Sequence, residues 1–150
     1  MTIFSLQIIE KDPTNYIPGD FDCAAGGLLA MGGYWTVGEV GTFRGIDFVK
    51  ITYGDIVVQN GIECWFNGAS SPENTLNALL AHELGHTLGL LHSCGDDASG
   101  PCDGHPDQDG ALMRSYIGYD RGTVPNIDDI NAITYLYSPT GTIIMPSSRY

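Results

Sequence analysis

Three histidines within eleven residues could together bind one metal ion. His82 and His86 are four residues apart, so on an α-helix their imidazoles lie within about 40° of each other on one face. Two neutral imidazoles placed in this way can share an ion, and Zn²⁺ is the usual ion for nitrogen ligands. Gly89 tolerates a left-handed backbone that ends a helix, so the chain can turn back and bring in His92. The sequence therefore predicts one zinc ion bound by His82, His86 and His92.

Glu83 is predicted to be the catalytic residue beside this ion. It follows the first histidine and projects about 100° round the helix from it, which places its carboxylate next to the metal. A zinc ion with three protein ligands keeps a position for water and lowers the pKa of that water toward about 7. Glu83 could then act as general base toward the water. A single histidine is more often a hydrogen-bonded core residue, but three with a glutamate at this spacing indicate a metal site.

The full pattern H-E-x-x-H-x-x-G-x-x-H, from His82 to His92, resembles the zinc signature of the metzincin metalloendopeptidases. Ser93 after the third histidine and the sequence Gly110-Ala111-Leu112-Met113 are similar to the matrixin (matrix metalloproteinase-like) branch. The resemblance covers about residues 1–138 and leaves 139–150 as a C-terminal tail. It implies a zinc-dependent endopeptidase that cleaves extended protein or peptide substrates, with Met113 as the apolar Met-turn support under the imidazoles.

The chain departs from the matrixin pattern after the metal motif. Residues 94–108 resemble an insertion, and the histidines of the family's structural zinc are absent, because His105 is the only histidine outside the motif. The family has a proline two residues after the Met-turn methionine and a tyrosine four residues after it, whereas here Tyr116 lies three residues after Met113. Tyr116 is expected to line the substrate pocket.

The edge strand that this family uses to hold substrate must come from a different segment here. Asn60-Gly61 is a strong signal for a two-residue hairpin turn leading into a strand over 62–66. This strand would contribute to the substrate pocket through Ile62, Glu63 and Cys64.

The remaining patterns predict a single α+β domain over 1–150. It would have a small twisted mixed sheet, two packed helices (one carrying the zinc motif) and a C-terminal helix after the Met-turn, like a metzincin catalytic domain. Alternation predicts strands over 2–10, 46–53 and 55–59, and a looser periodicity interrupted by glycines predicts a helix over 21–37. The small faces of these glycines could instead mark close packing on the sheet. Helix signals predict the motif helix over 72–88, with Leu76, Leu80, Leu84 and Leu88 facing the core, and a last helix capped by Asn126 and stopped by Pro139.

Composition limits the partners and the compartment. Eighteen acidic and six basic residues give a net charge of −12, which argues against nucleic acid or an anionic membrane as a partner. We expect a monomer. No signal peptide is visible in residues 1–20, yet the peptidase interpretation favours an extracellular or secreted protein. Four cysteines then predict two disulfides, and of the three possible pairings we favour Cys94–Cys102 with Cys23–Cys64.

The acidic stretch 96–110 leaves three interpretations open. Asp103, Asp107 and Asp109 could bind a structural Ca²⁺, although no glutamate stands where an EF-hand needs one. The stretch could equally be a solvated acidic loop. A second zinc on Cys94, Cys102 and His105 would need free thiols, and we rank it below the disulfide.

Two functions from different classes remain. The chain is either a zinc-dependent endopeptidase or a non-catalytic zinc-containing domain of the same fold that binds a protein partner. Glu83 favours the enzyme, since a binding module needs only the three histidines.

Overall fold

A computed structural model describes residues 5–9, 11–43, 45–119 and 122–137. The ends of the predicted first strand, Pro139 and the predicted tail lie outside these residues. The elements in chain order are β1 (Ser5–Ile9), β2 (Ala30–Phe43), β3 (Ile46–Val58), α1 (Glu63–Phe66), α2 (Pro72–Thr87), α3 (Pro106–Asp109) and α4 (Ile127–Tyr137).

The three strands form one mixed sheet in the order β1-β3-β2. β1 runs parallel to β3, with Ser5 opposite Tyr53, and β2 runs antiparallel to β3, with Ala30 opposite Val58. The predicted strands over 46–53 and 55–59 are one continuous strand, β3. A small mixed sheet with packed helices confirms the predicted α+β class.

The helix predicted over 21–37 is wrong, because most of its second half belongs to strand β2. Glycines destabilise a helix, so the several glycines of this segment disfavour one. In the observed structure, one of them allows a turn and another allows close packing. Gly27 has a positive φ of 142°, and Gly32 lies against helix α2 with no room for a side chain. The apolar residues at roughly helical spacing were therefore misleading.

The strand predicted over 62–66 is also wrong, since this segment forms the short helix α1. Asn60 does not form a hairpin but connects to the chain before β2. Its side chain accepts a hydrogen bond from Asp12 N (3.1 Å) and donates one to Asp12 O (2.9 Å). The Asn60 carbonyl accepts a third bond from Phe21 N at 2.7 Å. These tertiary contacts override the local turn preference.

Helix α2 begins at Pro72 and ends at Thr87, as predicted, but its buried face differs from the predicted leucine stripe. The buried side chains include Ala78, Leu79, His82 and Glu83, whereas Leu84 is 37% exposed. Leu79 joins a core cluster with Phe21, Ala30, Val58 and Ile62. The predicted leucine stripe is therefore only partly buried, with Leu80 packed against the core cluster and Leu84 exposed.

Both predicted disulfides are present. Cys23 pairs with Cys64 across a Cα–Cα distance of 6.1 Å, and Cys94 pairs with Cys102 across 5.1 Å. The second pairing excludes the alternative zinc site on Cys94, Cys102 and His105. In the described part of the chain, no helix is both long and apolar enough to cross a bilayer.

Candidate metal centre

The three histidines of the motif converge on one point. His82 and His86 project from adjacent turns of α2, and their Nε2 atoms are 3.2 Å apart. After the helix, Gly89 takes a φ of +89° and turns the chain, so that the Nε2 of His92 lies 3.1 Å from that of His86. Nitrogen ligands about 2.0–2.1 Å from a tetrahedral zinc lie roughly 3.3 Å from one another. The spacing of the three nitrogens fits one zinc ion.

Hydrogen bonds at the opposite ring nitrogens orient the three imidazoles. His82 Nδ1 lies 2.8 Å from Leu112 O, and His86 Nδ1 lies 2.8 Å from Leu90 O. Because a carbonyl oxygen can only accept, each Nδ1 carries the proton and each Nε2 presents a lone pair to the shared point. Burial lowers the pKa of His86 below its ordinary value, which favours the neutral form that a metal requires.

The third histidine has a different partner. His92 Nδ1 lies 2.5 Å from Asp96 Oδ2, so a carboxylate, not a carbonyl, accepts its hydrogen bond. The hydrogen bond from the Ser99 side chain has the largest effect on the pKa of Asp96, and the one from His92 the next largest. Together they hold that pKa well below its usual range. Asp96 is therefore ionised in this contact.

Glu83 lies beside the three histidines and faces the same cavity. Its side chain is buried, and its Oε2 accepts a hydrogen bond of 2.5 Å from Gly32 N on strand β2. Burial raises the pKa of Glu83 to about 7, against the lowering effect of that hydrogen bond. The carboxylate can therefore both accept and release a proton near neutral pH.

Helix α2 touches strand β2 so closely at this point that only glycine fits. A Cβ on Gly32 would lie far inside van der Waals distance of the Glu83 carbonyl oxygen, which is backbone and cannot move alone. At the neighbouring Gly33, the nearest atom to a Cβ would be Asp55 Oδ1 at 3.5 Å, an ordinary contact. The absence of a side chain at Gly32 is what brings the strand within hydrogen-bonding reach of Glu83.

We expect Gly32→Ala to destabilise the domain by about 1–3 kcal/mol, the usual cost of overpacking, because α2 must move away from β2. The matched control is Gly33→Ala, which makes the same change at the next position without the clash. Midpoints of chemical denaturation should therefore fall for Gly32→Ala and stay near the wild-type value for Gly33→Ala. Equal midpoints would contradict the close contact.

Met113 packs against the helix that carries the first two histidines of the motif. It is 2% exposed, and its Sδ packs against Gly85, between the two helical histidines, where no side chain would fit. The turn that carries Met113 is also hydrogen-bonded to the segment that carries the third histidine, since Ser93 N donates to Met113 O at 2.9 Å. Met113 thus contacts the helix that carries two ligands and is linked to the segment that carries the third.

A buried carboxylate from helix α4 fixes this turn. Asp129 accepts hydrogen bonds from Leu112 N (2.8 Å), Met113 N (2.9 Å) and Asn126 N (2.8 Å). Asn126 caps α4, as predicted, by accepting from Asp128 N at 2.9 Å. Because the Leu112 carbonyl in turn binds His82, Asp129 supports the orientation of the first histidine.

The motif opens into a cavity of about 590 Å³. One wall is the segment 23–32, including the disulfide-bonded Cys23, and the apolar part of the lining includes Leu79, Trp65 and Tyr119. Trp65 and Tyr119 pack with ring centroids 5.3 Å apart. Tyr116 lines the cavity and is 68% exposed, so it lies at the rim.

The other three predicted pocket residues lie elsewhere. Ile62 is buried in the core cluster, Cys64 is bonded to Cys23, and Glu63 is exposed on α1. None of the three lines the cavity. Their proposed role depended on a strand over 62–66 that the structure replaces with a helix.

The predicted calcium ligands do not converge. Asp107 and Asp109 lie on α3, and Asp109 Oδ1 is 3.7 Å from Arg114 Nη1. Within the described residues, Asp103, Asp107 and Asp109 do not form a cluster of three metal-ligating groups. A calcium ion on these residues stays a prediction without structural support.

Three residues of the site were not predicted as such. Gly32 was one of the glycines of the predicted helix whose small faces could also mark close packing on the sheet, Asp96 was part of the acidic stretch, and Asp129 was a residue of the last predicted helix. Gly32 and Asp129 act through contacts with residues that are distant in the sequence, and no local spacing marks those contacts. Asp96 lies only four residues after His92, so that interval was the one signal the sequence offered.

Comparisons with known proteins agree with this geometry. A family model described as "Metallo-peptidase family M12B Reprolysin-like" matches residues 59–143. The chain is 42% identical to interstitial collagenase A of Mus musculus over 86 residues, which are 57% of this chain and 15% of the collagenase. It is 40% identical to interstitial collagenase B of Mus musculus over 60 residues, 40% of this chain and 10% of that protein. The chain thus spans a small part of these relatives, and no solved structure matches it.

Proposed function

Because the chain belongs to the M12B reprolysin-like metallopeptidase family, we propose that it is a zinc-dependent endopeptidase that hydrolyses peptide bonds in extended substrates. The observation that carries the proposal is the placement of Glu83. Its carboxylate lies in the same cavity as three imidazoles that converge on one point. A non-catalytic zinc domain would not need a buried carboxylate there.

His82, His86 and His92 would hold the zinc through their Nε2 atoms. Zinc, when bound, supplies a Lewis acid that polarises the scissile carbonyl and acidifies a nearby water molecule. Glu83 takes a proton from the attacking water and returns it to the leaving amine. Its pKa of about 7 suits both transfers at neutral pH. Met113 supports the imidazoles from below.

The edge of strand β2 is the surface to which we assign the substrate main chain. The Leu29 carbonyl faces β3, because it accepts a hydrogen bond from Gln59 N at 2.9 Å. The Gly32 N–H faces the other way, toward Glu83. Ala30 is buried, whereas Leu28 and Met31 on the same cavity wall are exposed. An extended peptide can lie along these exposed residues and approach the metal centre beside Glu83.

The apolar part of the cavity suits a hydrophobic or aromatic substrate side chain. Trp65, Leu79 and Tyr119 provide this lining, and Tyr116 at the rim borders the entrance. Ser93, the sequence Gly110-Ala111-Leu112-Met113 and the identity to two collagenases support a matrixin-like branch. Two disulfides support a secreted protein, since such bonds persist in oxidising compartments.

Metal removal tests the proposal. We expect the wild-type chain to carry one zinc and to cleave a library of internally quenched fluorogenic peptides. A chelator should abolish the cleavage and added zinc should restore it, because without the ion nothing polarises the scissile carbonyl. Zinc content would be measured by mass spectrometry on the same samples. A chain that carries one zinc but cleaves no peptide would instead support the binding-domain function.

A further inference from the structure

The third zinc ligand is held differently from the other two. His82 and His86 are fixed by the rigid helix α2 and donate to main-chain carbonyls. His92 lies after the helix, in irregular chain, and its side chain is 27% exposed. A ligand of this kind loses more conformational freedom when it binds a metal, so it depends more on its hydrogen-bond partner.

We propose that Asp96 is the positioning residue for His92, and that the Cys94–Cys102 disulfide holds Asp96 in place, so that zinc affinity depends on this disulfide. The inference rests on the proposed zinc site. It also gives the segment 94–108 a specific role in metal binding.

The carboxylate of Asp96 is fixed at both oxygens. Oδ2 faces His92 Nδ1 at 2.5 Å. Oδ1 accepts hydrogen bonds from Ser99 N (2.7 Å), Ser99 Oγ (2.6 Å) and Ala98 N (3.1 Å). With one oxygen held by its own loop, the other is presented to the histidine in a single orientation. Asp96 therefore fixes both the tautomer and the ring position of His92.

The loop that carries Asp96 is closed both by main-chain hydrogen bonds and by a disulfide. Its main chain forms a tight turn, in which Gly95 N donates to Gly100 O (2.6 Å) and Gly100 N donates to Asp96 O (2.8 Å). The disulfide between Cys94 and Cys102, eight residues apart, encloses this turn. Without the disulfide, only hydrogen bonds within a short, partly exposed loop would hold Asp96.

The base of the loop is joined to the Met-turn. Ser115 N donates to Cys94 O at 3.0 Å, and a Cβ on Gly95 would strike the Ser115 side chain. Cys94 itself is 1% exposed. The disulfide thus connects the turn that carries Asp96 to the buried Cys94, which is hydrogen-bonded to Ser115 in the cavity lining.

The first test compares two neighbouring acids. Asp96→Asn keeps an oxygen that can accept from His92 but removes its charge, and we expect zinc affinity to fall about 10–100-fold. Asp97→Asn makes the same charge change at an exposed neighbour and should leave the affinity within about twofold of wild type. Affinity is measured by competition with a chromophoric chelator. Equal affinities for the two variants would overturn the inference.

A spectroscopic readout separates positioning from general damage to the fold. Co²⁺ bound at the site reports ligand geometry through its visible absorption bands. We expect those bands to change in Asp96→Asn and to match wild type in Asp97→Asn, while circular dichroism stays the same for all three proteins. Unchanged Co²⁺ bands in Asp96→Asn would argue against a positioning role.

The second test removes the disulfide that encloses the Asp96 turn. The double variant Cys94→Ser/Cys102→Ser should lose zinc affinity to a degree approaching that of Asp96→Asn. Adding Asp96→Asn to this double variant should lower the affinity little further, because both changes act through the same contact with His92. If the double variant binds zinc as tightly as wild type, or if the two losses add in full, the disulfide does not act through Asp96. If the wild type itself binds no zinc, the proposed function fails, which is a different result from either.

Discussion

Glu83→Gln is expected to lose about 10²–10⁴-fold in kcat/KM, the usual contribution of a general base, while zinc stays bound. Glutamine keeps an oxygen that can accept from Gly32 N, so the contact between α2 and β2 survives and only the proton transfer is lost. Cleavage of the quenched peptides and zinc content would be measured on the same preparation.

The control for this variant is Glu63→Gln. It makes the same chemical change at an exposed position on α1, outside the cavity, and should cleave as wild type does. A Glu83→Gln protein with undiminished cleavage would remove Glu83 from the mechanism. If zinc were lost with the activity, the variant would have tested the metal site and not the base.

Asp129→Ala should be among the most destabilising single changes in the domain, at about 3 kcal/mol or more. Its carboxylate accepts from three main-chain N–H groups, and alanine would leave them without that acceptor in a largely buried place. The turn that carries Leu112 and Met113 would loosen as well, so zinc affinity should fall with stability. Denaturant titration and chelator competition measure the two effects.

Asp128→Ala provides the matched comparison. Asp128 is the neighbouring acid in the first turn of α4, and its loss should cost only the few tenths of a kcal/mol expected at a helix N-terminus. The two variants lose the same charge one residue apart. Similar stabilities would show that the hydrogen bonds of Asp129 to the Met-turn contribute little.

The metal motif could be predicted because it is encoded in local spacing. The positions of His82 and His86 on one helix face follow from helix geometry alone, and Gly89 marks the turn that brings His92 to them. The start of α2 at Pro72 and the cap of α4 at Asn126 follow from equally local rules. Elements whose determinants lie within one or two turns were therefore predicted correctly.

The errors arose where distant contacts decide the structure. Segment 21–37 contains apolar residues at helical intervals, yet its glycines serve a strand that must approach α2 closely at Gly32. In α2 itself, apolar residues occupy two faces, so the pattern could not show that Leu79 and Glu83 are buried while the leucine stripe is only partly buried. Asn60 has the local chemistry of a hairpin turn but is held by Asp12, which is 48 residues away. Local propensity is a weak guide at such positions.

The placement of the two tryptophans gives the cavity an optical reporter. Trp65 is partly buried in the lining, beside Tyr119, whereas Trp35 on β2 is 59% exposed and lies outside the lining. We therefore expect the emission of Trp35 to respond less than that of Trp65 to whatever fills the cavity. With Trp35 replaced by phenylalanine, the remaining fluorescence would follow peptide occupancy directly, even in a protein that cannot turn over its substrate.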